Sequence, residues 1–321
     1  MTRSARLALL TGLVAVLFSA SLLAGKMWVT PLAWLNGDPL TPILLELRLP
    51  RALLGAMLGA SLGLSGAVLQ GFLRNPLADP AVLGVSSTAA LGAVAAILLG
   101  VGSGGAFAAA MAGAAGAMVL LAVLAWRAAG PVAFVLVGTV LASLAGALTA
   151  FLIAVAPNPW AVAEVIDWLM GALTDRSWPD LARAAPAMVV GCALLLMTGR
   201  SLDALALGEE AARSLGVRMG RLQALVIVGT GLVVGAGVAA TGVIGFVGLV
   251  VPHLLRPLFG ARPAALLVPS ALGGAALVLA ADSLVRLVPG AGEVRLGVAM
   301  AMLGAPFFLA LLWRGEGRTW R

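Results

Sequence analysis

Residues 52–70 read ALLGAMLGASLGLSGAVLQ, and this stretch decides the fold class. It carries no charged side chain and has about the 20-residue length that an α-helix needs to cross a bilayer. Gly55, Gly59 and Gly63 are spaced four residues apart, so a helix places them on one face. Small residues in such a stripe let a second backbone come close. The stretch therefore predicts a membrane-spanning helix inside a compact bundle.

The composition extends this prediction to the whole chain. Hydrophobic residues make up 62% of the 321 residues and charged residues only 10%, whereas soluble domains carry about 25% charged residues. The mean hydropathy is +1.10. Within a bilayer, only helices and closed barrels satisfy the backbone. Because the apolar runs are long and continuous rather than short and alternating, we expect an all-α membrane protein.

The apolar runs predict about ten transmembrane helices, near residues 7–25, 52–70, 82–100, 105–126, 132–155, 181–198, 223–241, 243–259, 264–285 and 296–313. With both termini in the cytoplasm, most of the 20 Lys and Arg residues lie inside, which satisfies the positive-inside rule. Run 7–25 also resembles a secretory signal. We expect a retained helix because the run is long and no clear cleavage site follows it.

Several classes of function are disfavoured. The single Cys192 and the single His253 give little basis for a metal site or a catalytic triad. No predicted span has a charged residue near its centre, which argues against an ion-coupled carrier. The only lysine, Lys26, does not fit a P-loop, so any ATPase must be another chain. The pI near 11.4 reflects scattered charges, and we expect no nucleic-acid partner.

Arginines stand at the predicted outer edge, where the positive-inside rule disfavours them. Arg48 and Arg51 precede the second span, and Arg286 follows Asp282 by four residues. The first two either extend to lipid headgroups or contact acidic side chains of a soluble partner. Arg286 can also pair with Asp282 on one helix face.

Two segments stand out on the predicted cytoplasmic side. In residues 74–80, Pro76 and Pro80 rule out a continuous helix and predict a structured turn. The longest cytoplasmic segment, residues 199–222, contains a predicted short helix in which Arg213 can pair with Glu209. Gly216 supplies its stop signal. This helix either lies on the membrane or fits a groove on a partner.

Together these motifs resemble the FecCD-type permeases of type II ATP-binding-cassette (ABC) importers, which serve ferric siderophores, haem and cobalamin. The resemblance covers residues 46–313 and rests on RLPR at 48–51, GAVLQ at 66–70, RNPLADP at 74–80, LGV at 83–85, LGEEAARSLGV at 207–217, GVIGFVGLVVPH at 242–253, AD at 281–282 with Arg286, and GAPFF at 304–308.

The resemblance implies ten helices per subunit and a homodimer with two ATP-binding subunits, which would hold ATP and Mg, and a periplasmic binding protein. Arg48, Arg51 and Arg286 would face acidic residues of the binding protein. The segment that couples to the ATPase would consist of Leu207, Gly208, Glu209, Glu210, Ala211, Ala212, Arg213, Ser214, Leu215, Gly216 and Val217. Structural motif positions would be Asn75, Pro76, Asp79, Pro80, Pro252 and His253.

We therefore expect residues 1–321 to form one transmembrane permease domain of the inner membrane, without a bound cofactor or metal. Its expected cargo is an iron(III)-siderophore or similar chelate moved by alternating access, with cobalamin or haem as alternatives. An ion-coupled secondary transporter is the rival from another class. The sequence departs from the family at residues 293–297, EVRLG, which lack a proline common there. The extra Arg295 is a candidate partner contact.

Overall fold

A computed structural model describes residues 2–25, 41–127, 131–288 and 293–315. Within these ranges the chain is helical and contains no β-strand. Its α-helices are α1 Arg3–Leu23, α2 Leu49–Phe72, α3 Val85–Leu98, α4 Ser103–Arg127, α5 Pro131–Ala154, α6 Pro159–Leu169, α7 Trp178–Leu196, α8 Gly199–Leu205, α9 Glu209–Ser214, α10 Met219–Thr241, α11 Val247–Phe259, α12 Pro263–Leu287 and α13 Leu296–Gly315. A π-helical turn, Ile43–Arg48, leads into α2, and a 3₁₀ turn, Pro80–Leu83, leads into α3.

The membrane-spanning prediction is confirmed. In the described ranges, seven helices are long and apolar enough to cross a membrane, and three shorter apolar helices, α3, α11 and α13, accompany them. These ten helices match the ten predicted spans to within a few residues. The run predicted at 52–70, for example, is α2, Leu49–Phe72. Lys26 lies outside the described residues.

Helix α2 lies at the centre of the bundle. Almost all of its side chains are buried, and it packs against α12, α11, α7 and α10. A Cβ added at Gly59 would overlap the carbonyl oxygen of Gly274, and one at Gly63 would overlap that of Ser270. The predicted glycine stripe therefore provides direct backbone contact between α2 and α12.

The outer helices have a different surface. Large apolar side chains are exposed on α1, α4, α5 and α13, among them Leu9, Val119, Leu136 and Leu309. A helix that is apolar on all sides belongs in a low-dielectric environment. These faces therefore match the hydrocarbon that the composition requires.

Helix α1 is fastened to the rest of the bundle near its N-terminus. Arg3 Nη2 donates to the carbonyl oxygen of Ala265 at 3.3 Å. Arg6 Nη1 donates to the carbonyl of Leu258. These bonds join α1 to the start of α12 and the end of α11, so the first apolar run packs as a helix of the bundle.

Helix α6 was not among the predicted helices. It begins after Asn158, whose side-chain oxygen accepts from the Ala161 N–H at 2.9 Å. This short helix precedes α7, which begins with a capping box in which Asp180 accepts from the Ser177 N–H at 3.0 Å. The residues between α6 and α7 form one wall of the site described below.

We expect Gly59→Ala to destabilise the chain. In an ordinary helix interior this change stabilises by about 1 kcal/mol. Here the added Cβ would meet the Gly274 carbonyl, and overpacking costs about 1–3 kcal/mol. Gly146→Ala in α5 is the matched control, because no atom outside its own helical turn lies within 4 Å of its Cβ position. Thermal unfolding in detergent measures the stability of both variants. A Gly59→Ala variant as stable as the Gly146→Ala control would contradict the close approach of α2 and α12.

Candidate functional site

Charged side chains collect at one end of the bundle, where α2 begins and α12 ends. We call Arg48, Arg51, Asp282, Arg286 and Glu293 the charge cluster. Two of these residues lie on α12, Arg51 lies in the first turn of α2, Arg48 ends the π-helical turn before it, and Glu293 precedes α13. The sequence predicted that the three arginines share one side of the membrane, and the structure brings them together.

Arg51 is the centre of the charge cluster. Its Nε lies 3.1 Å from both carboxylate oxygens of Asp282, and its Nη2 lies 2.8 Å from Oδ1. The same Nη2 donates to Glu293 Oε2 at 2.8 Å. Because Arg51 and Asp282 are buried, this forked pairing keeps both charges compensated away from water.

Arg286 joins α12 to α1. Its Nη2 lies 2.9 Å from Asp282 Oδ2, which confirms the pairing that the four-residue spacing predicted. The same nitrogen donates to Ser21 Oγ at 2.6 Å, and Nη1 donates to the carbonyl oxygens of Ser21 and Ala24 at 3.0 and 3.2 Å. Sequence reasoning missed Ser21, because its spacing from Arg286 carries no local signal.

Arg48 contacts the same end of α1. Its Nη1 donates to the carbonyl oxygens of Leu22 and Leu23 at 3.0 and 2.9 Å. Arg48 and Arg51 are each 8% exposed and Arg286 is 5% exposed. The arginines therefore hold the bundle together, a role that the sequence analysis assigned only to the Arg286–Asp282 pair. Their contact with a soluble partner stays a prediction.

Glu293 is a cluster residue that sequence reasoning did not identify. Burial acts to raise the pKa of its carboxyl group, but the hydrogen bond and positive charge of Arg51 outweigh burial. A hydrogen bond from Thr174 Oγ1, at 2.9 Å, acts in the same direction. The net result is a pKa below the usual glutamate value, so Glu293 is ionised at neutral pH. In the sequence, the signal that could have identified Glu293 is its position just before the last predicted span.

The segment after Glu293 packs on the α6–α7 connection. Arg295, a candidate partner contact, makes two hydrogen bonds to Asp167 of α6, at 2.7 and 2.5 Å. The Gly297 N–H donates to the Gly171 carbonyl at 3.0 Å, and a Cβ at Gly297 would overlap the Met170 carbonyl. These contacts hold the start of α13 in place although the family's proline is absent.

At the opposite end, Gln70 joins α2 to α11. Its Nε2 donates to the carbonyls of Gly248 and Leu249 at 3.3 and 3.4 Å, and its Oε1 accepts from Arg256 Nη2 at 2.7 Å. A Cβ at Gly66, one turn earlier, would overlap the Gly248 carbonyl. The GAVLQ motif therefore serves helix contact.

The 74–80 segment is the structured turn that its prolines predicted. Asn75 Oδ1 accepts from the Leu77 N–H at 2.9 Å. Asp79 Oδ1 accepts from the Ala81 N–H at 2.9 Å and so caps the 3₁₀ turn that starts at Pro80. These bonds satisfy the N–H groups of Leu77 and Ala81, which have no helical partner in this turn.

Pro252 and His253 lie within α11, and Pro252 is buried. The His253 ring meets the edge of Phe307 in α13, with ring centroids 5.9 Å apart. No group of three or more His, Cys, Asp or Glu side chains that could hold a metal occurs among the described residues. The structural role of His253 stays a prediction.

The segment 199–222 forms α8, α9 and the start of α10. Arg213 pairs with Glu209 at 2.7 Å, as the sequence predicted. Gly208 and Gly216 flank α9 with φ of +107° and +85°, and Gly216 ends the helix as expected.

This segment is bonded to the start of α12 and carries two exposed leucines. In α8, Asp203 accepts from the Ala264 N–H at 2.8 Å and pairs with Arg262, which fixes it to the start of α12. Further along the chain, Leu207 and Leu215 are 71% and 65% exposed. We call Leu207, α9 and Leu215 the α9 knob, a surface in which two exposed leucines flank a charged helix. It lies at the end of the bundle opposite the charge cluster.

Similar proteins include several permeases of import systems. The chain is 43% identical to the cobalamin import system permease protein BtuC of Halobacterium salinarum, over 85% of this chain and 74% of that protein. It is 41% identical to the vitamin B12 import system permease protein BtuC of Vibrio cholerae, over 96% and 93%. It is 37% identical to the Fe(3+) dicitrate transport system permease protein FecD of Escherichia coli, over 96% and 99%.

Two solved structures are also similar to this chain. A structure described as an inward-facing ABC transporter of the metal-chelate type matches 97% of this chain and 99% of its own, with a TM-score of 0.87 and 32% identity. PsaBC from Streptococcus pneumoniae shares the fold at a TM-score of 0.55 and 17% identity. The FecCD transport family model matches residues 12–314. This chain therefore belongs to the FecCD transport family.

Proposed function

We propose that this chain is the membrane-spanning permease subunit of an ABC importer for a bulky metal chelate. The α9 knob is the observation that supports this function best. Large apolar side chains facing the aqueous side of a membrane protein are costly unless a partner covers them. An ATP-binding subunit in the cytoplasm is such a partner. It supplies the energy for transport, because this chain has no P-loop.

The two ends of the bundle suit two different partners. The α9 knob presents exposed Leu207 and Leu215 beside a charged helix, and it lies on the end predicted to be cytoplasmic. The charge cluster is rich in arginine and lies on the end predicted to be outside, where acidic side chains of a periplasmic binding protein would meet it. In this assignment Arg48, Arg51 and Arg286 form the floor of the docking surface.

The assembly would contain two copies of this chain in the inner membrane, with ATP and Mg held by two ATPase subunits. Helices with exposed apolar faces, such as α5, offer surface for lipid and for a second copy. No cofactor is assigned to the permease itself. Transport would follow alternating access, in which partners shift the equilibrium by binding its two states differently.

The cargo is proposed as a cobalamin or an iron(III) chelate. The sequence analysis placed iron(III)-siderophores first, with cobalamin and haem as alternatives. Relatives named for cobalamin or vitamin B12 import are 36% to 43% identical to this chain, and the iron(III) dicitrate permease, at 37%, lies within that range. The relative at 43% identity is a cobalamin permease, so cobalamin is the first cargo to test.

Removing the exposed side chains of the α9 knob tests the ATPase contact. We expect Leu207→Ala with Leu215→Ala to weaken association with the ATPase by about tenfold or more, equivalent to about 1.4 kcal/mol. The permease itself should unfold at an unchanged temperature, because both leucines are largely exposed. Co-purification and the ATPase rate of the assembled importer are the measurements.

Leu9→Ala is the matched control for this experiment. Leu9 is 68% exposed, as far as the knob leucines are, but lies on the lipid-facing side of α1. The control should assemble with the ATPase as the unmodified chain does. Equal assembly of the knob variant and the control would contradict the proposed contact.

Uptake by the complete importer in proteoliposomes tests the energy source and the cargo. We expect the cognate binding protein loaded with labelled cobalamin to deliver its cargo with ATP inside, and not with a non-hydrolysable ATP analogue. Ferric citrate and a ferric hydroxamate are the comparison cargoes. Uptake driven by an ion gradient alone would overturn the importer class, and transport of only the ferric chelates would overturn the preference for cobalamin.

A further inference from the structure

A cavity lies where α7 ends and α10 begins, at the end of the bundle that carries the α9 knob. It measures about 520 Å³ and is formed by Met197 at the end of α7, by α8, and by the chain from Leu215 into α10. Three arginines line it: Arg200 of α8, Arg218 just before α10, and Arg221 in the first turn of α10. The proposed contact of the α9 knob with an ATPase gives these arginines no role.

The positive charge of the cavity wall has no counter-charge beside it. None of the residues that line the cavity is acidic. Among the described residues, no hydrogen bond or ion pair holds the side chain of Arg200, Arg218 or Arg221. The carboxylates of the same segment lie outside the wall, and two of the three are bound to other arginines: Asp203, Glu209 and Glu210. Three positive charges around one volume favour an anion there.

The start of α10 adds to this preference. No side chain caps its N-terminus, and its first turn contains no acidic residue. The N-terminal end of a helix carries partial positive charge and N–H groups without a helical partner. Arg218 and Arg221 lie on either side of that end. Guanidinium groups beside a helix N-terminus suit an anion with several oxygens, and phosphate is such an anion.

The rest of the cavity wall is apolar and continues onto surface that suits hydrocarbon. Met197, Leu215 and Leu225 line the cavity beside the arginines. Helices α7 and α10 pack against each other, and their next exposed side chains toward the middle of the bundle include Leu196 and Val228. A phospholipid has its phosphate at the membrane edge and its chains against such side chains. This arrangement therefore fits a lipid better than a free anion.

We propose that this cavity binds the headgroup phosphate of an anionic phospholipid, such as phosphatidylglycerol, from the leaflet on the α9 side. Basic pockets between spanning helices are typical sites for anionic headgroups. The phosphate would accept hydrogen bonds from Arg200, Arg218 and Arg221, and the acyl chains would lie along α7 and α10. The inference goes beyond the proposed function, which assigns no lipid ligand to the permease.

The position of the site has a consequence for the α9 knob. Arg200 precedes α9 in the chain, and Arg218 follows it. A phosphate bound to both would join α8 to the start of α10. The bound lipid would then hold the two ends of the segment that carries α9, so the membrane itself would help to position the α9 knob.

The test uses the purified full-length chain with added lipid. Phosphatidylglycerol should raise its unfolding temperature, as a ligand of the folded state does, and zwitterionic phosphatidylcholine should raise it less. We expect Arg→Gln at residues 200, 218 and 221 together to weaken phosphatidylglycerol binding about 100-fold, and each single change about fivefold. Native mass spectrometry of chain released from mixed nanodiscs measures the bound lipid. Equal stabilisation by the two lipids would contradict the proposal.

Arg74→Gln is the matched control. Arg74 is exposed at the same end of the bundle but does not line the cavity. This variant should bind phosphatidylglycerol as the unmodified chain does, and a loss equal to that of the triple variant would reduce the effect to non-specific attraction and overturn the proposal. The three cavity arginines are exposed, so their removal should leave the unfolding temperature without lipid unchanged. If the triple variant does not fold, the single variants decide, and undiminished binding in all three rejects the site.

Two further outcomes would assign the cavity to another occupant. Inorganic phosphate might replace the lipid: stabilisation by phosphate equal to that by phosphatidylglycerol, and lost in the triple variant, would identify a free-anion site. Loss of ATPase association by the triple variant in a bilayer of phosphatidylcholine alone would show that the arginines receive acidic side chains of the ATPase. Either result would overturn the lipid assignment, whereas intact ATPase association with lost phosphatidylglycerol binding would support it.

Discussion

Backbone contact between α2 and α12 is the constraint on which the rest of the structure depends. Helices in a bilayer gain little from burying apolar surface against each other, so close packing must supply the association energy. Gly59 and Gly274 face each other so closely that neither tolerates a Cβ. This contact fixes the distance between the two helices. It also brings Arg51 and Asp282 together at the end of the bundle where α2 begins and α12 ends.

The charge cluster stabilises the fold only because its buried charges have hydrogen-bond partners. Moving a carboxylate or a guanidinium out of water costs several kcal/mol, and a buried pair recovers that cost only with good geometry and further hydrogen bonds. Asp282 accepts from two arginines, while Glu293 accepts a further bond from Arg51 and Ser21 accepts from Arg286. Three segments distant in sequence are thereby joined at one point, and the loss of the Asp282 carboxylate would leave the buried Arg286 without an ion pair.

The sequence predicted local features well and distant contacts poorly. The ten apolar runs, the turn at 74–80 and the pairs Glu209–Arg213 and Asp282–Arg286 all follow from composition or from spacing within one helix. The bonds of Arg51 to Asp282 and Glu293 span 231 and 242 residues, and no periodicity encodes them. Without those partners, Arg48, Arg51 and Arg286 read as exposed edge residues, whereas the structure buries them. Helix α6 was missed because it is short and carries Glu164 and Asp167.

The position of α2 explains how one chain can serve a partner at each end. Its first turn carries Arg51 and its last turns carry Gln70, which bonds to α11. Helix α12 runs alongside it, from the anchor of α8 at Ala264 to Asp282 and Arg286. Because backbone contact at Gly59 and Gly63 joins the two helices near their middle, we expect a displacement of the α9 knob to move α2 and α12 together. The charge cluster at the other end would then move with them.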